Sequence, residues 1–71
     1  MNTVNESLLK ITKEIAEKYG SSKLFKIMLT KNNIEYVEIS KNVTKIFDEE
    51  LNKIIICKHV ASKTIVHYEV N

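Results

Sequence analysis

The sequence predicts a mainly β domain. One N-terminal α-helix is followed by five short strands, which form a small, strongly bent antiparallel sheet (an open barrel) whose free edges join neighbouring copies into a ring. Three observations lead there. Apolar residues recur at helical spacings in the first nineteen residues. From Lys23 onward, short runs rich in Ile, Val, Phe and Tyr alternate with breaks containing Asn, Asp, Ser and Lys. The chain has 71 residues, enough for one domain only. A domain this small buries roughly 60% of its unfolded surface, so assembly supplies burial that one chain lacks.

The helix is expected over about residues 4–19. Val4, Leu8, Ile11, Ile15 and Tyr19 recur every three or four residues and mark one buried face. Thr3 and Glu6 fit a capping box, in which both side chains satisfy free backbone amides. Gly20 stands where a left-handed C-terminal cap is expected. Lys10, Lys13, Glu14, Glu17 and Lys18 read as the solvated face.

The first strand is expected over 23–30, with Phe25, Ile27 and Leu29 on one face and Leu24 and Met28 on the other. A strand apolar on both faces is normally covered on both. Lys31-Asn32-Asn33 supplies a turn, 34–40 a second strand and Lys41-Asn42 another turn. The stretch 43–60 admits two readings. As a helix it places Val43, Phe47, Leu51, Ile54 and Ile55 on one side. As strands it gives 43–47 and 53–58 around a loop at Asp48–Asn52. Ile54-Ile55-Ile56 favours strands, because β-branched side chains lose rotamer freedom in a helix. The last strand is expected over 64–70, with Val66, Tyr68 and Val70 on one face.

With no proline and one glycine, the turns fall largely to Asn, Asp, Ser and Lys; asparagine reaches left-handed backbone readily. The formal net charge is +2, with every basic residue a lysine, a mild excess that suits an anionic partner and multiplies in a ring. Cys57 is the single cysteine and reads as a small buried hydrophobe. The first twenty residues carry charges throughout, unlike a secretory signal, and no apolar run approaches the roughly 20 residues of a membrane span. A cytoplasmic protein is therefore expected.

Neither a nucleophile–base pair nor a glycine-rich phosphate loop is present, so no catalytic residue and no cofactor are assigned. Cys57, His59 and His67 lack the close ligand pairs of a zinc site, so no metal is expected. Glu35, Glu38, Asp48, Glu49 and Glu50 read as solvated side chains.

The segment Cys57-Lys58-His59-Val60-Ala61-Ser62-Lys63-Thr64-Ile65 resembles the second Sm motif of the Hfq family, centred on Lys-His before a short β-branched strand. Extending the match upstream brings Asn42 onto the Asp/Asn of the first Sm motif and Ile46-Phe47 onto its apolar strand, with one residue missing before Lys41. The resemblance covers about residues 23–66, and its departures are those of a divergent, archaeal member. It implies a homohexameric Sm-like ring, an RNA chaperone binding U-rich single-stranded RNA around a basic pore. Lys58 then donates to a uracil carbonyl or pairs with phosphate, and His59 hydrogen-bonds ribose or phosphate. Asn42 supports the turn near the nucleotide. Thr44 stands where the family stacks a base on an aromatic ring, which removes that platform. Cys57 replaces the family's tyrosine before Lys-His, while Met28 and Val37 replace the adenine-stacking tyrosine and the glycine of the second strand. A-rich RNA binding is therefore not carried over.

The competing reading is a small protein-interaction module or inhibitor that uses an exposed strand edge to add a strand to its partner.

Overall fold

A computed structural model describes residues 7–70. Two helices, α1 (Leu8–Lys18) and α2 (Ser22–Lys31), precede four strands, β1 (Val37–Ser40), β2 (Val43–Asp48), β3 (Lys53–Val60) and β4 (Lys63–Tyr68). The strands form one open antiparallel sheet in the order β1-β2-β3-β4. The fold is a small α+β arrangement with both helices on one face of the sheet.

Helix α1 begins later than its apolar spacing suggests. Ser7, in extended backbone, caps it by accepting from the Lys10 amide at 3.1 Å. The expected start at Val4 and the capping box of Thr3 and Glu6 lie outside the described residues. Thr12, Ile15 and Ala16 form its buried stripe; of the expected face, Ile15 is buried, while Leu8, Ile11 and Tyr19 are only partly so. Gly20 does not adopt left-handed backbone. Its role is steric: a Cβ there would collide with the Ser62 carbonyl oxygen.

The expected first strand, 23–30, is helical, and this is the main correction to the fold. Ser21 caps α2 through the Leu24 amide, and Phe25 and Leu29, four apart, are fully buried. Leu24 and Ile27 are exposed, so the period is that of a helix and not two. The apolar residues of this segment are mostly unbranched at Cβ, which costs little rotamer freedom in a helix. Burial of Phe25 and Leu29 stabilises the packing by about 1.5–3 kcal/mol each. Four strands are therefore present among the described residues in place of the expected five.

The expected second strand, 34–40, pairs only over Val37–Ser40, with an irregularity between Glu38 and Ser40. The stretch 43–60 resolves into β2 and β3, joined in register from Val43↔Lys58 to Asp48↔Lys53. The isoleucine triplet alternates across the sheet: Ile55 is buried, while Ile54 and Ile56 lie on the other face. Strand β4 pairs with β3 from Ile55↔Tyr68 to Val60↔Lys63.

Asn33 and Asn52 take positive φ at their turns, as the shortage of glycine requires. Ala61 does the same in the two-residue loop between β3 and β4. The core gathers Ile15, Ala16, Phe25 and Leu29 from the helices with Ile46, Ile55, Cys57 and Val66 from the sheet.

Candidate functional site

The four residues singled out by sequence do converge. Pairing of Val43 with Lys58 and Thr44 with Cys57 sets Asn42, Thr44, Lys58 and His59 at one end of the β2–β3 hairpin. The His59 amide donates to the Asn42 carbonyl at 2.8 Å. The pleat of the sheet then separates them. Thr44 and His59 face the helices and are buried, Lys58 is exposed on the opposite face, and Asn42 is exposed in the turn.

His59 is only 5% exposed. Its Nε2 lies 2.8 Å from Thr44 Oγ1, its Nδ1 lies 2.9 Å from Thr64 Oγ1, and its ring meets Phe25 edge-on at 5.6 Å between centroids. Thr64 donates its single hydroxyl proton to the Gly20 carbonyl at 2.8 Å. Its oxygen must then accept from Nδ1–H, which leaves Nε2 as the acceptor for the Thr44 hydroxyl. This chain of bonds fits the neutral imidazole with the proton on Nδ1. Burial holds the His59 pKa below its ordinary value, the Lys26 ammonium lowers it further, and Glu38 opposes the shift. Lys26 and Glu38 themselves pair at 3.4 Å.

The chain Thr44–His59–Thr64–Gly20 ties β2, β3 and β4 to the α1–α2 junction. Its Thr44 and His59 side chains are buried and hydrogen-bonded, while Thr64 and Gly20 are partly exposed. Asp48, expected to be solvated, is another interior polar group: it is buried and accepts from the Leu51 amide at 3.3 Å and the Tyr68 hydroxyl at 3.1 Å. Cys57 is fully buried, as expected, and burial pushes its thiol up to about 12.

No element among the described residues covers the other face of the sheet. Val37, Ile39, Phe47, Val60 and Ile65 are each more than half exposed there, and Val43, Ile54 and Ile56 lie among them, partly exposed. Lys45 reaches across β3 to Glu69 at 3.1 Å. Lys58, between Val43 and Ile65 in the register, has no ion pair among the described residues. Sequence reasoning missed this face. Its signal was present: Ile46 next to Phe47 and Ile55 between two isoleucines make both faces of β2 and β3 apolar, whereas both helices cover the same side.

Among the described residues no three His, Cys, Asp or Glu side chains are grouped to hold a metal ion, and no helix is long and apolar enough to cross a membrane. No family model, curated protein or solved structure matches the chain.

Proposed function

We propose that the protein is a small interaction module whose working surface is the uncovered face of its sheet. The observation that carries this reading is the run of Val37, Ile39, Phe47, Val60 and Ile65, all more than half exposed on one side. Contiguous apolar surface of this kind costs free energy in water and marks a site where another polypeptide docks. Strand β1, exposed along its length at the sheet edge, adjoins that face and offers unpaired backbone groups. Site-specific photo-crosslinking in the intact cell tests the reading. A crosslinker at Ile65 should form polypeptide adducts, while one at Lys13, on the exposed side of α1, should not. Equal capture from both positions, or none from Ile65, rejects it.

A second reading, an Hfq-like cytoplasmic ring binding U-rich single-stranded RNA, is supported by Lys58. Its ammonium shares the uncovered face with Lys45, His67 and the exposed Phe47, a combination suited to a phosphate backbone and a stacked base. In this reading the β1 edge of each copy joins the β4 edge of the next to build the hexamer, and Asn42 lies beside the nucleotide. Thr44 and His59 then act by shaping the hairpin that carries Lys58. Tight oligo-U binding that weakens steeply with salt and is lost in Lys58→Ala supports it; binding indifferent to that substitution refutes it.

A further inference from the structure

Lys58 stands inside the uncovered face, and its nearest neighbours there are all aliphatic. Val43 lies across from it on β2 and Ile65 on β4, and Ile56 and Val60 share its side of β3. Val60 and Ile65 are more than half exposed, and Val43 and Ile56 partly so. None of the positions that β1–β4 turn to this face is acidic. Glu69, just past β4, is held by Lys45 at 3.1 Å, and Glu38 pairs on the other side of the sheet with Lys26 of α2 at 3.4 Å. Lys58 is therefore left without a carboxylate partner among the described residues.

This arrangement constrains the occupant, granted that the face is the docking surface proposed above. A body that covers Val43, Ile56, Val60 and Ile65 also strips water from the ammonium between them. Removing a charge from water is costly unless an opposite charge meets it. We propose that the occupant is a polypeptide segment that sets an Asp or Glu carboxylate among apolar side chains. The carboxylate pairs with Lys58, and the flanking apolar groups rest on the four aliphatic side chains around it. The same face of a second copy supplies no such acid, because Glu69 is already bound to Lys45. Single-stranded RNA fits less well, since bases stack on aromatic faces. Phe47, the exposed phenyl ring of this face, is four residues along β2 from Val43, roughly 13 Å away.

A phage-displayed library of random peptides, selected on the immobilised full chain, is the probe. Enriched peptides should share an Asp or Glu flanked by Leu, Ile, Val or Phe. Fluorescence anisotropy with a synthetic enriched peptide then locates the contact, with circular dichroism confirming the fold of each variant. Ile65→Ser should weaken binding, which places the peptide on the uncovered face. Lys58→Glu should weaken it by at least about tenfold, and exchanging the peptide's acid for lysine should restore binding to that variant. Peptides that respond to Ile65→Ser but lack an acid, or that ignore Lys58→Glu, overturn the proposal and leave the face a docking surface. A selection that yields no peptide sensitive to Ile65→Ser removes the docking surface and the proposal with it. Oligo-U binding abolished by Lys58→Glu, with no acidic peptide enriched, assigns the ammonium to RNA and overturns the proposal as well.

Discussion

His59 and Thr64 face each other across the last hairpin, Nδ1 to Oγ1 at 2.9 Å, and the hydroxyl proton of Thr64 is already committed to the Gly20 carbonyl. The imidazole is therefore a donor on that side and an acceptor toward Thr44. A second proton on the ring would take the acceptor away from the Thr44 hydroxyl and place a charge in the interior.

This arrangement makes folding stability depend on pH in a defined direction. The folded pKa of His59 lies below the unfolded value of 6.5, first because of burial and then because of Lys26. The unfolded chain therefore binds more protons than the folded one between those two values. The stabilisation is complete above the unfolded pKa and is lost as pH falls through the folded one. Urea midpoints of the wild type should drop between pH 7.5 and pH 5.5, while His59→Gln shows a flatter dependence over the same window. An NMR titration of the His59 ring with a midpoint above 6.5 would contradict the assignment.

Two small residues at turns make opposite predictions. Gly20 lies against the Ser62 carbonyl, so Gly20→Ala forces the α1–α2 junction away from the β3–β4 loop and strains the Thr64 bond. A loss of about 1–3 kcal/mol in a thermal or chemical melt is expected. Ala61 holds φ at 55°, where a Cβ is unfavourable. Ala61→Gly relieves that strain at the expense of added freedom in the unfolded chain, and a net gain of about 0.5–1 kcal/mol is expected. A melt in which both substitutions shift stability the same way would show that one of these backbone assignments is wrong.

The parts of the fold legible in the sequence are those where one period fits and one face is buried. Helix α1 was readable because Ile11, Ile15 and Tyr19 repeat at helical spacing with charges between them. Strands β2, β3 and β4 were readable because β-branched residues dominate them. Segment 23–30 was misread because Lys23 to Thr30 satisfies period two and period 3.6 almost equally, and only the cap at Ser21 and the Phe25–Leu29 pair distinguish them. The four candidate residues are brought together by the β2–β3 register, which pairs Val43 with Lys58 and Thr44 with Cys57. Their division between two faces depends on which face the helices cover, and a strand apolar on both sides leaves that undecided.

Cys57 offers a test of the packing at the centre of the sheet. It sits between Thr44 and Val66 in the register and is fully buried, and its thiol is pushed up to about 12 by desolvation. The thiolate is the reactive form, so the folded protein should be inert to a disulfide reagent at pH 8 and react fully after denaturation. Cys57→Ser places a hydroxyl in this apolar position and should cost about 1–3 kcal/mol. Rapid native-state labelling would show that the β2–β3–β4 layer opens under native conditions.

Lys58 and His59 are adjacent in sequence but have unlike roles, and substituting each separately makes the difference measurable. Lys58→Ala removes an exposed ammonium with no ion pair among the described residues, so stability should change by no more than about 0.5 kcal/mol. His59→Ala removes the ring from between Phe25, Thr44 and Thr64 and leaves the Thr44 hydroxyl without its acceptor. Cavity and lost hydrogen bonds together should cost about 2–4 kcal/mol. Any loss of ligand or partner binding in His59→Ala should then track the unfolded fraction, whereas a loss in Lys58→Ala should occur with the fold intact. Were His59→Ala as stable as the wild type and yet defective in binding, the imidazole would have to face outward, and the interior network around Thr44 and Thr64 would be refuted.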